Sequence, residues 1–248
     1  MKTLYFTLQG KGGVGKTLIS SYLQQYLKNR SDKKSKIMGI DTDPNNSSFT
    51  GIKKLDVTFL PLFDENQQIN ERNFDNMIEL LYNNQDTTFI IDNGATSFLP
   101  LVNYLKENNI MEMLEDKFKI VIQIPITGGQ AQEDTLNGMD YLIETFKGDK
   151  INFNIWKNEY FGKIQTKETK HFEKFEQYLK HKEHIRGLLT LPQVNEQTYG
   201  VDLEKMHKAK LTFEEINQNE NFTLMEKQRL KTYQNKIYSM MDTVIEIA

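Results

Sequence analysis

Apolar residues along this chain fall into short continuous runs, separated by longer stretches in which they recur every three to four positions. Thr3–Leu8 is the first run and Lys36–Asp41 the second. Val57–Phe63, Thr88–Asp92, Lys119–Ile124, Asn152–Trp156 and Leu188–Leu191 follow, the last stopped by Pro192. Runs of this length with little alternation predict strands buried on both faces. Between the first two, Leu18, Ile19, Tyr22, Leu23, Tyr26 and Leu27 line one side of a predicted helix from Lys16 to about Asn29. Phe74, Met77, Ile78, Leu81 and Tyr82 stand at i, i+3, i+4, i+7, i+8 in another. Leu224–Ile245 reads as one long helix with Leu230, Tyr233, Ile237, Met240, Met241 and Val244 facing inward. Strands alternating with helical segments predict an α/β fold, a mostly parallel sheet sandwiched by helices in three layers. No proline-rich linker, low-complexity tract or internal repeat breaks the pattern, so residues 1–248 are expected to form one domain.

The turn after the first strand carries the chemistry. Gly10-Lys11-Gly12-Gly13-Val14-Gly15-Lys16-Thr17 fits G-x-x-x-x-G-K-[ST] between a strand and a helix, the context in which that pattern is a phosphate-binding loop. Glycines at 10, 12, 13 and 15 let the backbone on either side of Val14 curl, so that successive N–H groups point at phosphate oxygens. The helix start adds its positive dipole end. Lys16 is then expected to reach the β- and γ-phosphates, and the Thr17 hydroxyl to ligate Mg²⁺. Such a loop needs carboxylates for magnesium and for water. Asp41 and Asp43 close the second strand, and Thr88-Phe89-Ile90-Ile91-Asp92 is a buried run ending in aspartate at the carboxyl edge of the sheet, where ligands of open α/β sheets bind. Asp92 is expected to contact Mg²⁺ through water. Strand-end aspartates also serve as turn formers, and that reading stays open for Asp41 and Asp43. Thr127-Gly128-Gly129-Gln130, after the fifth strand, suits either a loop bordering the nucleotide or a partner, or a plain strand-to-helix turn with Thr127 near the cap.

Composition narrows the field. The chain of 248 residues is 38% hydrophobic and 26% charged, with a net charge of −3 and no cysteine. That removes disulfides, thiolate metal sites, cysteine nucleophiles and cysteine-held iron–sulfur clusters. No apolar run is long enough to span a bilayer and the first residues lack a signal-peptide pattern, so a cytoplasmic protein is expected. Residues 157–186 hold eight Lys/Arg against five Glu, with His171, His181 and His184 interleaved. A stretch so mixed reads more readily as a solvated face with ion pairs than as a nucleic-acid patch, and its histidines as surface residues without metal spacing. The C-terminal Met241–Ala248 is acidic and lacks a lysine cluster, which argues against a membrane anchor.

Lys11-Gly12-Gly13-Val14-Gly15-Lys16-Thr17 resembles the deviant phosphate loop of the ParA/MinD group of ATPases in the SIMIBI class. The resemblance implies ATP as the nucleotide and an ATP-sandwich homodimer in which Lys11 reaches the partner's nucleotide. Asp41-Thr42-Asp43-Pro44-Asn45 is similar to that family's Asp-x-Asp-Pro-Gln switch I, with Asn45 where Gln is usual; it implies that Asp43 orients the attacking water while Asp41 supports Mg²⁺ or the loop. Asn158, Pro192 and Gln193 fall where the family grips adenine. Switch II departs further: Asp92-Asn93-Gly94-Ala95-Thr96-Ser97-Phe98 stands in place of Asp-[Thr/Ser]-Pro-Pro. With Leu8–Lys16 and Thr127–Ala131, that block resembles a plasmid-borne subgroup, the TraL conjugal-transfer and StbB plasmid-stability proteins. These blocks lie within roughly the first 135 residues. They imply a dimerising ATPase, slow and partner-stimulated, in plasmid partition, stability or conjugal transfer. The implied partners are a plasmid-encoded adaptor or transfer-machinery protein, with non-specific DNA contact through the basic stretch. Two other readings stay open: a SIMIBI-class ligase or kinase-like enzyme, which needs a second substrate pocket, and a nucleotide-locked binding module without turnover.

Overall fold

The computed structural model describes every residue except 44, 46, 47, 67, 149, 168 and 248. Pro44 of the switch I pattern and Ala248 of the acidic tail therefore lie outside the described residues. The chain runs β1 (Lys2–Thr7), α1 (Lys16–Arg30), β2 (Lys36–Asp41), β3 (Thr58–Phe59), α2 (Asn73–Asn83) and β4 (Thr87–Asp92). It continues through α3 (Phe98–Glu107), α4 (Ile110–Glu115), β5 (Phe118–Thr127), α5 (Gln132–Phe146), β6 (Ile151–Asn158) and α6 (Glu176–His181). It ends with β7 (Ile185–Leu191), α7 (Val201–Lys208), α8 (Phe213–Gln218) and α9 (Leu224–Met241).

The strands pair in parallel in the order β3-β2-β4-β1-β5-β6-β7. Period-two alternation then decides which helices each face can hold. Leu4 and Phe6 of β1, Ile120 and Ile122 of β5 and Phe153 of β6 point into a core with α2, α3, α4 and α5. Tyr5, Val121 and Trp156, each one position out of phase, point the other way into a core with α1, α7, α8 and α9. Both faces are covered, which is why the strands read as unbroken apolar runs, and the expected three-layer α/β sandwich is the observed one. Among the described residues no helix is long and apolar enough to cross a membrane.

Most elements keep within a residue or two of their expected bounds, though β7 begins at Ile185 rather than Leu188; three other ends also differ, each for a local reason. The third strand was expected over Val57–Phe63 but stops at Phe59; Leu60 still donates to the Asp41 carbonyl, and Pro61, with no N–H, cannot extend the edge. The fifth strand, expected to end at Ile124, runs to Thr127 through Pro125. The Gln123 carbonyl accepts from Leu8 N, so alternate residues of β5 turn their polar groups toward β1. Two residues on, β1 has already left the sheet and no ladder bond is asked of Pro125; its carbonyl accepts instead from Gln9 Nε2 at 3.0 Å. The final helix ends at Met241 rather than Ile245. Asp242 is drawn out by Arg30 and Tyr26 of α1, Val244 packs over Gly187 of β7, and Glu246 pairs with Lys119 and Arg186.

Ile122, fully buried on the central pair of strands, is expected to cost about 2–5 kcal/mol of unfolding free energy as Ile122→Ala. Leu224→Ala, at a position 81% exposed, should stay within about 0.5 kcal/mol, both read by urea denaturation.

Candidate functional site

Strand order reverses at β1, whose neighbours β4 and β5 lie on opposite sides of it, and the crevice outside the carboxyl ends opens there. The glycine loop leaves β1 into that crevice and enters α1 at Gly15, whose φ of +96° is open to glycine alone without strain. Amide side chains clamp the loop at both ends. Gln9, buried, donates from Nε2 to the Pro125 and Thr135 carbonyls and accepts the Gly10 N–H, each at 3.0 Å. Asn158 Nδ2 donates to the Val14 carbonyl at 3.0 Å, and its Oδ1 accepts from Tyr160 N at 3.2 Å. Lys16 curls over the loop to donate to the Lys11 carbonyl at 3.0 Å. Burial pulls its pKa below the ordinary lysine value, while Asp92 and Asp43 act against that pull.

Asp92 is the most constrained of the acids. It is 2% exposed; Thr17 Oγ1 donates to its Oδ2 at 2.7 Å, and Ser20 Oγ lies 2.9 Å from its Oδ1. Burial pushes its carboxyl up to about 7, with Asp41 adding to the rise and Thr17, Ser20 and Lys16 opposing it. A hydroxyl and a carboxylate oxygen this close form a hard donor pair suited to Mg²⁺. The carboxylate of Asp41, by contrast, faces its own loop. Its Oδ1 accepts from Asp43 N at 3.1 Å, and its Oδ2 from Thr50 N at 3.0 Å and Thr50 Oγ1 at 2.9 Å. Asp43 Oδ1 accepts from Asn45 N at 3.0 Å in the next turn.

The two acidic loops are joined to each other. Thr42 Oγ1 lies 3.1 Å from the Asp92 carbonyl and 3.0 Å from Asn93 Oδ1, and Asn45 Nδ2 donates to Thr96 Oγ1 at 3.0 Å. Asn45 and the Asn93–Thr96 turn are the positions where the sequence leaves the family pattern, and they touch.

Two cavities share Gly13 and Gly15 as a common wall. One, of about 400 Å³, brings together Gly12, Lys16, Thr17, Asp43, Asn45 and Thr96. The other, of about 270 Å³, is a mainly apolar slot floored by Leu191, Pro192 and Val194, with Leu203 and His207 of α7 along one side and Tyr160 and Phe161 at another. Asn158 and Pro192 line this slot, whereas Gln193 lines an adjoining cavity beyond Val194. Tyr160, Phe161 and the α7 face are absent from the expected site residues. The helix is only eight residues long, and the π-turn over Glu196–Gly200 that delivers it follows no readable period. Lys11 lies on the surface in an ion pair with Asp134 of α5, Nζ to Oδ2 2.7 Å.

Among the described residues, three of the eight Lys/Arg of the basic stretch form ion pairs within the chain: Lys157 pairs with Glu173, Lys180 with Asp140 and Arg186 with Glu246. His181 corrects the expectation of surface histidines. It is 1% exposed, with Nε2 2.7 Å from Asp140 Oδ1 and Glu144 nearby. Its acidic neighbours sit one helix turn apart on α5, about forty positions earlier, so no local spacing announces them.

Residues 5–227 match the CobQ/CobB/MinD/ParA nucleotide binding domain, and the chain belongs to that family. Two proteins from Escherichia coli, each described as Protein TraL, are 37% identical over 243 residues, covering 98% of this chain and 98% of their own. The likeness therefore continues well past the first 135 residues, through the segment that carries α7, α8 and α9. Among solved structures, a ParA family ATPase from Chlorobium tepidum TLS superposes with a TM-score of 0.52 at 12% identity over 94% of this chain and 97% of that one. The MinC:MinD cell division protein complex of Aquifex aeolicus gives 0.51 at 14% identity over 96% of each. At such identities these two speak for the fold.

A buried carboxyl raised from an unfolded value of 3.8 to about 7 makes stability depend on pH. The folded state binds the proton more tightly, so the contribution is full below about pH 4 and lost as pH rises through about 7. The stability of wild type relative to Asp92→Asn should therefore fall between those limits, with a slope of no more than about 1.4 kcal/mol per pH unit. Denaturant titrations of the nucleotide-free proteins at several pH values check it; a flat difference contradicts the burial of an ionisable group there.

Proposed function

We propose that this chain is a Mg·ATP-dependent switch of the ParA/MinD type: a single-domain cytoplasmic ATPase that closes into a homodimer on ATP, hydrolyses slowly and reopens. The observation that carries the reading is the convergence of Lys16, Thr17 and Asp43 on one cavity, with the buried Asp92 bonded behind it to Thr17, directly across Gly13 and Gly15 from an apolar slot. That juxtaposition suits a ligand with a polyanionic end and a flat apolar end. Backbone N–H groups of residues 10–15 and the start of α1 would hold the β- and γ-phosphates. Lys16 would exchange the Lys11 carbonyl for phosphate oxygens. Thr17 and Asp92 would hold Mg²⁺, which, when bound, offsets charge that develops on the transferring phosphoryl group. Asp43, at the mouth of the same cavity, would position the attacking water. Asp41 acts one step back: its bonds to Asp43 N and Thr50 set the loop that presents Asp43.

Lys11 would leave Asp134 and act on the partner's nucleotide. An exposed ion pair of this kind contributes only about 0–1 kcal/mol, a small barrier to release. A cation delivered only by the closed dimer ties turnover to association. The likeness to the TraL proteins over nearly the whole chain supports a role in conjugal transfer or plasmid maintenance, with a transfer-machinery or plasmid-encoded adaptor protein as partner. Three of the eight Lys/Arg of residues 157–186 are held in ion pairs with acids of the chain, which lessens the charge left for DNA and supports an adaptor as the direct contact.

Light scattering should show the 29.1 kDa chain doubling in mass with Mg·ATP, and Lys11→Ala should remain a monomer. A wild type that stays monomeric in every nucleotide state refutes the dimer. In single-turnover hydrolysis Asp43→Ala should slow the chemical step about 100-fold or more while ATP still binds. An unchanged rate removes Asp43 from the mechanism.

A further inference from the structure

β5 and β6 end in register, Thr127 beside Asn158, so the loops that leave them run side by side. They do so backbone against backbone. A Cβ on Gly128 would lie 2.4 Å from the Gly162 carbonyl oxygen and 2.5 Å from that of Lys163. A Cβ on Gly129, whose φ is +71°, would lie 3.0 Å from the Phe161 carbonyl oxygen. No side chain fits between the two loops, which is a sufficient reason for two glycines in succession. Two amide bonds extend the contact: Gln132 Nε2 donates to the Gln165 carbonyl at 3.0 Å, and Gln165 N donates back to Gln132 Oε1 at 3.1 Å. At its near end the same segment is held by Asn158, which accepts from Tyr160 N.

The segment over 159–165 is thus pinned from three sides, with Ile164 buried, yet its two aromatic side chains are uncovered. Tyr160 is 67% exposed and Phe161 53% exposed. Their rings meet edge to face, with centroids 5.0 Å apart, at the mouth of the apolar slot beside the phosphate loop. Large aromatic side chains on an immobilised backbone, facing a slot rather than a core, are arranged as a preorganised platform, because the ordering cost is met before any ligand arrives.

We infer that Tyr160, backed by Phe161, is the face on which the nucleobase stacks, and that Gly128, Gly129 and Gln132 are positioning residues that hold it there. This rests on reading the slot as the base end of the nucleotide site. It gives the Thr127-Gly128-Gly129-Gln130 motif a task at one remove from the ligand: its glycines admit the carbonyls of residues 161–163, and those fix the aromatic turn. Stacking is tolerant of base identity, since every base offers a π-face. The platform therefore adds affinity for ATP and GTP alike, and leaves their discrimination to other walls of the slot.

Calorimetric titration of Mg·ATP, Mg·GTP and magnesium tripolyphosphate separates base from phosphate contacts. Tyr160→Ala should weaken ATP and GTP about tenfold and leave tripolyphosphate within about twofold, while Tyr160→Phe restores wild-type values. Gln132→Ala should show the same split at about threefold, with an unchanged melting temperature; it stands in for Gly128→Ala if that variant does not fold. Tyr160→Ala with wild-type affinity for ATP overturns the proposal, as does equal loss of ATP and tripolyphosphate. A wild type that binds tripolyphosphate as tightly as ATP also overturns it, leaving the phosphate site standing. A wild type that binds neither defeats the proposed function itself.

Discussion

A carboxylate with almost no access to water, Asp92, stands where the sheet, the phosphate loop and both acidic loops meet. Its position is set by a fully buried strand, and its two oxygens are shared between Thr17 and Ser20 on the first turns of α1. Taking an acid this far from solvent costs free energy, and that burial raises its carboxyl to about 7. A cation bound beside it would offset that cost.

From Asp92 the constraint spreads along short polar links. Its carbonyl and the adjacent Asn93 face Thr42, so the loop carrying Asp43 cannot shift without disturbing the turn after β4. Asn45 and Thr96 add a second link between the same two segments. On the opposite flank, Asn158 ties the phosphate loop to the turn that bears Tyr160, and Gln9 ties it to β5 and α5. The glycine loop, the acidic loops and the turn bearing Tyr160 are therefore joined by hydrogen bonds built largely from amide and hydroxyl side chains rather than charges.

The sequence made most of this legible where physics is local. A glycine loop between a strand and a helix, apolar runs closed by aspartate, and helical periods such as Phe74–Leu81 each follow from neighbours in the chain. What stayed hidden depends on neighbours brought from afar. His181 is buried because α6 packs its end against Asp140 of α5. Pro125 is tolerated in a central strand because β1 ends two residues too early to need its N–H. The last helix stops at Met241 because Arg30, Tyr26, Lys119 and Arg186 claim the acids that follow. Nothing in the sequence around Tyr160 and Phe161 sets them apart; only the close approach of two loop backbones reveals that they are held outward.

The central claim is that the cleft is a preformed cradle for a magnesium-bound nucleotide. Titration of ATP into the intact protein, with and without Mg²⁺ and alongside Lys16→Ala, tests it most directly. The account predicts saturable binding of one nucleotide per chain, strengthened at least tenfold by Mg²⁺ and lost in Lys16→Ala while the variant keeps its fold. A folded wild type that takes up no nucleotide at millimolar concentration, or binding indifferent to both Mg²⁺ and Lys16, would contradict it.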